Sequence, residues 1–326
     1  MTSSILPMPP FEWLKPQWSD FCTRLERGKL PHAFLLNGQE GIGIEELALA
    51  MGQYLLCLSP MEGIACGRCR GCQLLQSETH PDLKRLEPEE KGKVIKVDQI
   101  REITAFVDKT AQQGGRKVIL LMPAEAMNVN AANALLKSLE EPSGDTVFVL
   151  VSQQAHRVLP TIRSRCAQVH VKSPSQAQSL EWLSSVGVEN PSLYLAEASG
   201  APLLAKRWLD EGLFEERMSV IEGLTALMEG RSEPMATAKQ WSNKDPNVIL
   251  NPMLLCLELI LSEKMAGKSI PEHYEAAQAA LSRCSTTLLF RLRDRLCERK
   301  AQYRASPNLN AALFIEELIL DWTAVV

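Results

Sequence analysis

The chain has 326 residues, of which 45% are hydrophobic and 23% charged, a globular composition long enough for about two or three domains. Its net charge of -4 gives no overall positive field, which argues against nucleic-acid binding through charge alone. No apolar run approaches the roughly 20 residues that span a bilayer, and the first residues lack a secretory signal, so we expect a cytoplasmic protein.

The first half of the chain alternates strand and helix signals. Apolar runs predict strands, and periodic apolar positions predict the helices between them. The predicted strands are residues 34–36, 114–123 and 145–152, and the predicted helices are 45–58, a helix beginning near residue 97, and 128–141, with a short strand or turn before the second helix. Buried strands separated by helices indicate a parallel sheet with helices on both faces, up to about residue 171.

Beyond residue 172 the pattern becomes helical, and no strand is predicted there. The predicted helices are residues 174–187, 191–198, 201–210, 213–229, 234–243, 248–266, 271–282, 285–302 and 308–324. Four arginines surround the apolar spacing of the 285–302 helix, and we interpret them as a solvated helix face. They are Arg291, Arg293, Arg295 and Arg299. The predicted fold class is α/β plus all-α.

A glycine-rich stretch, GQEGIGIEE at residues 38–46, follows the first predicted strand. Gly38 and Gly43 have the separation found in phosphate-binding loops, GxxxxGK[ST], and Gly41 lies between them. In such a loop the backbone N–H groups surround the phosphates, while a lysine neutralises them and a hydroxyl holds Mg²⁺. The glycines therefore indicate a loop with the shape of a nucleotide site.

The residues that carry the chemistry of that loop are missing. Ile44 stands in the place of the lysine, and Glu45 stands in the place of the serine or threonine. Glu46 and Glu40 add further carboxylates. At roughly 4 Å in a partly buried site, like charges repel by several kcal/mol, so these carboxylates disfavour a triphosphate. We interpret the stretch as a strand-to-helix turn whose acidic residues complement the helix dipole, and we predict that it does not bind ATP.

The end of the second strand supports this interpretation. A working site of this type has acidic residues there to hold Mg²⁺ and to polarise water. Met122 and Pro123 occupy those positions, and Glu125 comes two residues too late. A single displaced glutamate is usually a surface residue, so both halves of the nucleotide site look degenerate.

Four of the nine cysteines fall within sixteen residues, and they are Cys57, Cys66, Cys69 and Cys72. In a reducing compartment this clustering favours a metal over disulfides. Four thiolates complete the tetrahedral shell of a structural Zn²⁺ site, although the spacing does not exclude an iron–sulfur cluster, and His80 is a spare candidate ligand. We interpret most of the scattered cysteines as small core residues, and these are Cys22, Cys166, Cys256, Cys284 and Cys297.

The stretch TIRSRCAQV places Arg165 between Ser164 and Cys166 at the far end of the predicted sheet domain. The ordinary explanation of such an arginine is a surface ion pair. An arginine supplied in trans can instead stabilise the charge of phosphoryl transfer, with effects of roughly 10³–10⁵ on the rate. A chain without a working nucleotide site can still offer Arg165 to a neighbour, which is our functional hypothesis.

Several motifs together resemble the AAA+ clamp-loader family of bacterial DNA polymerase III. They are LPHAFLLNG, CGRCRGCQL, HPDL, NAANALLKSLEEP and TIRSRC, with weaker likeness in SGAPLLA and NLNAALFIEELIL. The resemblance implies an AAA+ type sheet domain at 1–171 with a zinc module inserted at about 57–82, a small helical domain at 172–211 and a helical collar at 212–326. In that family the collar holds a five-subunit ring together.

The resemblance also implies roles for individual residues. Arg165 would reach ATP bound to an adjacent loader ATPase (gamma/tau) subunit, and the four clustered cysteines match the family's zinc module. Leu203 stands where the ATPase members have an arginine that senses nucleotide. These features imply a non-hydrolysing stator subunit, partnered also by a delta subunit, and by the sliding clamp and primer–template DNA through the assembled ring, with no membrane partner.

Two other classes of protein stay open at this point. One is a self-sufficient AAA+ ATPase of another DNA-transaction pathway, which would bind nucleotide by itself. The other is a zinc-dependent nucleic-acid-binding module, for which the cysteine loop offers only Arg68 and Arg70. Neither alternative accounts for a degenerate phosphate loop together with Arg165.

Overall fold

The computed structural model describes residues 11–61, 63–90, 93–113, 115–305 and 309–324. The chain forms two compact units, Met1–Val186 with Gly200–Leu204, and Gly187–Ser199 with Ala205–Val326. The first unit contains the sheet, and the described part of the second contains helices only. The finer division into three domains stays a prediction.

The sheet has five parallel strands in the order β2-β3-β4-β1-β5. Their bounds are β1 Ala33–Asn37, β2 Leu83–Leu86, β3 Lys117–Leu121, β4 Thr146–Ser152 and β5 Ala167–His170. The three predicted strands correspond to β1, β3 and β4, which lie at the centre of the sheet. The short strand or turn predicted before residue 97 is a single bridge between Ile95 and Met127.

The centre of the sheet is buried on both faces, because helices cover it on each side. Every residue of β3 and β4 is buried, and Leu35 and Leu36 of β1 are fully so. The two edge strands are different, since β2 and β5 are four residues long and half-exposed along most of their length. Parallel strands in mid-sheet need such continuous apolar runs, whereas edge strands do not.

Among the described residues, the first seven α-helices lie in the first unit; the second, fourth, fifth and seventh correspond to predicted helices, and the other three were not predicted. Their bounds are α1 Lys15–Glu26, α2 Ile44–Leu56, α3 Arg70–Gln76, α4 Val97–Val107, α5 Val129–Glu140, α6 Pro160–Arg163 and α7 Gln176–Ser185. Helix α5 begins where the Asn128 side chain accepts a hydrogen bond from the Ala131 N–H at 2.8 Å. Apolar residues of α4 and α5, among them Ile100, Ile103 and Leu135, pack with β3 and β4 in one core.

The remaining helices also lie near their predicted positions. They are α8 Pro191–Glu197, α9 Pro202–Asp210, α10 Leu213–Met228, α11 Pro234–Trp241, α12 Pro246–Ala266, α13 Glu275–Leu281, α14 Thr286–Ala305 and α15 Ala311–Thr323. A single apolar core joins α10 to α15, with Trp322 and Tyr274 fully buried in it. Within the described ranges, no helix combines the length and the apolar character needed to cross a bilayer.

The arginine face predicted on α14 is exposed at Arg295 but half-buried at Arg299, and both residues form ion pairs that the prediction did not include. Arg295 donates to the Asp321 carboxylate of α15 at 3.1 Å, and Arg299 donates to the same carboxylate at 3.0 Å. Asp321 is only 8% exposed, so its charge requires partners, and the two arginines supply them. These arginines therefore tie α14 to α15.

Candidate functional site

The glycine loop, residues 38–43, connects β1 to α2 as the sequence predicts. Gly43 is the residue before α2 and has a φ of +97°, a conformation that favours glycine. A Cβ at this position would lie 2.8 Å from the Phe11 ring and 3.1 Å from the Leu14 side chain. The loop is therefore packed closely against the segment that precedes α1.

The other side of the loop is equally close to the chain. A Cβ at Gly41 would lie 2.4 Å from the Cβ of Leu204, and a Cβ at Gly38 would lie 2.8 Å from the Val171 carbonyl oxygen. The Leu203 N–H donates to the Gly41 carbonyl at 3.0 Å. The position that the family resemblance assigns to a nucleotide-sensing arginine thus contributes a backbone hydrogen bond to the loop itself.

Three aromatic side chains extend this packing. The rings of Phe11 and Trp13 stack with centroids 4.9 Å apart, and Trp182 of α7 meets Phe11 edge-on at 5.6 Å. The Trp13 indole N–H donates to the Ile42 carbonyl at 2.8 Å, so the cluster is also hydrogen-bonded to the loop. The glycines allow the protein's own side chains and backbone to approach the loop.

The residues at the lysine and hydroxyl positions have structural partners. Ile44 is 1% exposed and belongs to the core beneath the first turn of α2. Glu45 lies in that first turn, where a carboxylate complements the helix dipole, and accepts a hydrogen bond from the Gln153 amide at 3.2 Å. No cationic side chain is supplied at either position.

Glu125 is not the plain surface residue that its displaced position suggests. It is half-buried, and one carboxylate oxygen accepts the backbone N–H groups of Gln153 and Gln154 at 3.0 and 3.1 Å. It therefore fixes the turn that follows β4. The same Gln153 also reaches Glu45, so the two carboxylates are joined through one residue.

The four clustered cysteines converge at the other end of α2. Their sulfur atoms all lie within 4.8 Å of one another, with 3.9 Å between those of Cys57 and Cys69 and 4.0 Å between those of Cys66 and Cys72. A tetrahedral ion with bonds of about 2.3 Å to each thiolate requires sulfur–sulfur distances of about 3.8 Å. The four sulfur atoms therefore fit a single metal ion.

Backbone N–H groups point at the sulfur atoms. Cys57, Cys66 and Cys69 each accept from an N–H group at 3.2–3.4 Å, and the donors are Leu58, Cys66, Cys69 and Cys72. The N–H groups of Arg68 and Cys69 lower the pKa of Cys66 to about 6. Burial acts to raise the pKa of Cys69, but the N–H groups of Cys72 and Leu58 outweigh it and lower the pKa.

The two innermost thiols behave differently. Burial raises the pKa of Cys57 and of Cys72 above the ordinary range. A buried thiolate with no cation nearby is costly, whereas a metal ion deprotonates a coordinating thiol. The cluster thus combines two thiols that ionise readily with two that need a cation, a pattern that favours metal binding.

His80, the spare candidate, does not join the four-sulfur cluster. It is 6% exposed, and its Nδ1 accepts the Asp82 N–H at 3.1 Å, which fixes the neutral tautomer. Burial lowers its pKa. The Asp82 carboxylate in turn accepts the N–H groups of Gln112 and Gln113 at 2.7 and 2.8 Å, so this pair ties the end of the cysteine module to the sheet edge.

The scattered cysteines follow their prediction for the most part. Cys166, Cys256 and Cys284 are buried, Cys22 is half-buried and Cys297 is exposed. Burial raises the pKa of both Cys166 and Cys256 to about 12, as expected for core thiols.

Arg165 lies between α6 and β5 and is about one-third exposed. Its Nε donates to the Glu140 carboxylate at 2.6 Å, and its Nη2 contacts the same oxygen. Its Nη1 donates to the Thr161 carbonyl at 2.9 Å. The ordinary explanation, a surface ion pair, thus describes Arg165 within this chain.

Arg165 and the glycine loop lie at opposite ends of the parallel strands. Strand β5 begins two residues after Arg165 and pairs with β1 from Phe34 onward, whereas the glycine loop follows the last residue of β1. The length of a four-residue strand, roughly 13 Å, therefore separates them along the strand direction. Arg165 does not serve the glycine loop of its own chain.

Sequence reasoning missed the residues that complete these sites. Phe11 and Leu204 lie far from the glycine loop in sequence, and Glu140 is 25 residues from Arg165. The one available signal for the partner of Arg165 was Glu140 at the end of a predicted helix, where a carboxylate is unfavourable without a nearby cation.

Two protein families match the chain, one within each of its two compact units. Residues 14–175 match the family described as DNA polymerase III, delta subunit, and residues 211–324 match the one described as DNA polymerase III, delta subunit, C terminal. The chain is 40% identical over 323 residues to DNA polymerase III subunit delta' of Pseudomonas aeruginosa, covering 97% of this chain and 98% of that one. It is 39% identical over 174 residues to the subunit delta' of Escherichia coli, covering 53% and 52% of the two chains.

Among solved structures, a DNA polymerase III gamma subunit-related protein of Thermotoga maritima aligns with 95% of this chain and 99% of its own, at 21% identity and a TM-score of 0.47. The five-stranded parallel sheet, with its glycine loop after β1, forms an α/β domain, and the described residues of the second unit form helices only. By its similarity to relatives across nearly its whole length, the chain belongs to the family of DNA polymerase III delta-prime subunits.

Proposed function

We propose that this chain is a non-hydrolysing stator subunit of the bacterial clamp loader, which uses ATP bound to other subunits to load the sliding clamp onto primed DNA. The observation that carries the proposal is the packing of the glycine loop. A Cβ on Gly43 would lie 2.8 Å from the Phe11 ring and one on Gly41 would lie 2.4 Å from Leu204, and a buried isoleucine replaces the lysine. A triphosphate would have to displace these groups and would then meet carboxylates rather than a cation.

The chain would act in trans through Arg165, as an arginine finger for a neighbouring ATPase (gamma/tau) subunit. Two observations support this role. Arg165 lies at the end of the strands opposite to the chain's own glycine loop, and its guanidinium is partly exposed. An arginine offers planar, bidentate recognition of phosphate oxygens, which suits it to the charge of phosphoryl transfer.

The ring would contain five subunits, with gamma/tau and delta subunits as neighbours of this chain. The sliding clamp and primer–template DNA would be partners of the assembled ring. Leu203 stands where the ATPase members of the family have a nucleotide-sensing arginine, and it contributes only a backbone N–H to the glycine loop and no charge. This supports a passive role of the chain during ATP binding and hydrolysis. The chain would thus give the ring a fixed docking face while its neighbours change with nucleotide.

The cysteine cluster would hold one structural Zn²⁺ through Cys57, Cys66, Cys69 and Cys72. Bound zinc would fix the path of the loop between α2 and α3, with no open coordination position. The short mutual distances favour a single ion over a multinuclear iron–sulfur cluster, in which the thiolates bind different iron atoms. Metal analysis of the purified chain should give one zinc per chain and no visible absorption from iron.

The decisive experiment uses the reconstituted clamp loader. We expect Arg165→Ala to leave folding and assembly intact and to lower the DNA- and clamp-stimulated ATPase rate by at least about tenfold at the neighbouring site. Arg165→Lys should restore little, because a lysine cannot form the bidentate contact. Arg157→Ala, at an exposed arginine after β4, is the matched control and should have no effect.

A second measurement separates this role from that of a self-sufficient ATPase. Calorimetry of the isolated chain with Mg²⁺–ATP should detect no binding. Tight binding and turnover by the chain alone would contradict the proposal, and so would an unchanged ATPase rate in the loader that carries Arg165→Ala.

A further inference from the structure

The hydrogen-bond donors of Arg165 are nearly all engaged within this chain. Nε and Nη2 both reach one oxygen of Glu140, and Nη1 donates to the Thr161 carbonyl at 2.9 Å and to the Ser164 hydroxyl at 3.4 Å. A guanidinium has five N–H donors in a fixed fork. The side of the fork formed by Nε and Nη2 is therefore occupied by Glu140.

This arrangement limits what Arg165 can offer to a phosphate. A bidentate grip needs two parallel N–H groups on one side of the guanidinium. A guanidinium has two such pairs of N–H groups, Nε with Nη2 and Nη1 with Nη2. Glu140 engages the first pair, and the Thr161 carbonyl engages Nη1 of the second. Arg165 must leave Glu140 before it can form a side-on bidentate contact with phosphate oxygens of a neighbour.

Glu140 occupies an unusual position for a carboxylate. It is the last residue of α5, where the helix dipole disfavours negative charge, and its side chain is about half exposed. Lys137 in the same turn is placed as the dipole prefers. The carboxylate is offset by Arg165, which comes from the turn after α6.

We propose that Glu140 is a positioning residue that holds Arg165 in a resting geometry, and that phosphate oxygens of the neighbour's nucleotide displace its carboxylate when the arginine engages. The proposal rests on the trans role of Arg165 proposed above. It adds a residue that regulates that role, because the Glu140 carboxylate competes with phosphate for the same N–H groups.

The direction of the effect follows from this competition. Glu140→Gln keeps the size of the side chain and a carbonyl acceptor but removes the charge. For the loader that carries this variant, kcat/KM for ATP should rise about two- to fivefold. This factor corresponds to the free energy that an exposed ion pair contributes. The gain should lie mainly in KM, because Arg165 leaves the carboxylate when nucleotide binds rather than during the chemical step.

The test uses the reconstituted clamp loader with five versions of this chain: the natural one, Glu140→Gln, Glu141→Gln, Arg165→Ala, and Glu140→Gln combined with Arg165→Ala. Glu141→Gln removes the same charge one residue later and should leave KM unchanged. In the combined variant the gain from Glu140→Gln should vanish, which a merely structural role of Glu140 would not produce. Thermal unfolding of each isolated chain verifies that the variants fold.

The outcomes separate the two proposals. If Arg165→Ala alone leaves the ATPase rate unchanged, the trans role fails, and the competition fails with it. If Arg165→Ala lowers the rate but Glu140→Gln leaves kcat/KM unchanged or lowers it, the trans role stands and the competition is wrong. A gain that persists without Arg165, or that Glu141→Gln reproduces, equally overturns the role of Glu140.

Discussion

Helix α2 connects two glycine-containing loops that are filled in different ways. The loop before its first residue, Ile44, is packed by Phe11, Leu204 and other parts of the same chain. The loop after its last residue is arranged around four sulfur atoms, with N–H groups directed at them. One loop is completed by the protein's own atoms, and the other is arranged as though around an ion.

The comparison of these two loops shows that the shape of a glycine-containing loop does not by itself reveal whether it binds a ligand. Glycines at positive φ are required in both types of loop, so they do not tell a binding site from a tight turn. The deciding observation is what lies within contact distance of the backbone. At the glycine loop the neighbours are side chains and backbone groups of the same chain. At the cysteine loop they are backbone N–H groups and buried thiols, a set that favours a cation.

The largest expected effect is at the cysteine loop. Cys72→Ser removes a fully buried thiol from the cluster, so, with the structural zinc proposed above, the chain should lose one metal ion and more than about 3 kcal/mol of unfolding free energy. Metal content and denaturant unfolding measure the two losses. Cys297→Ser, at an exposed cysteine outside the cluster, is the control and should change neither. Equal stability of the two variants would mean that the cluster holds no structural ion.

The next effect concerns the close packing of the glycine loop. Gly41→Ala would combine a φ of +76° with a Cβ 2.4 Å from that of Leu204, and should cost about 2–4 kcal/mol of unfolding free energy. Gly28→Ala, at a φ of +65° with open space around it, isolates the backbone strain and should cost about 1–2 kcal/mol. Urea unfolding of both variants measures the difference. Equal losses would show that Leu204 does not fill the loop.

A third variant restores the residue types of a phosphate loop without emptying it. Ile44→Lys combined with Glu45→Thr should still bind no Mg²⁺–ATP, because Phe11 and Leu204 remain against the loop. It should lose about 1–3 kcal/mol, since Ile44 is 1% exposed and a lysine there must escape to solvent. Calorimetry and urea unfolding provide the measurements, and nucleotide binding by this variant would contradict the interpretation of the loop as filled.

The smallest expected effect depends on pH and belongs to the cysteine module. Burial lowers the folded-state pKa of His80 below its ordinary value of 6.5, so the unfolded chain takes up this proton first as the pH falls. The unfolding free energy should therefore decrease as the pH drops below about 6.5, and the contribution of His80 to it should be constant above that pH. His80→Asn retains an acceptor for the Asp82 N–H and should show a flatter profile. Identical profiles would remove His80 from this dependence.

The sequence predicted the centre of the fold better than its edges. Strands β1, β3 and β4 were found because buried parallel strands are continuous apolar runs. LKRL of β2 and AQVH of β5 were missed because half-exposed edge strands of four residues carry polar side chains and have no such run. The helices of the second unit were located well, because prolines or capping residues mark several of their first turns.

For the candidate sites, local chemistry was predictable and long-range contacts were not. The cysteine spacing indicated the cluster, and the missing lysine indicated a loop without phosphate chemistry. The residues that pack on that loop come from both ends of the first unit, and no local pattern connects them. The same holds for Arg295 and Arg299, whose shared partner Asp321 lies more than twenty residues away.

The segment before β1 works as a strap across both ends of α2. Trp13 donates its indole hydrogen to the Ile42 carbonyl at 2.8 Å, and Trp18 donates its own to the Gly63 carbonyl at 3.1 Å. A shortened chain that starts at β1 would lose both indole hydrogen bonds at once, and would expose Tyr54 of α2, on which Trp18 and Phe21 pack. Shortened versions of the chain should therefore retain Phe11 and all residues after it, so that Trp13 and Trp18 are kept.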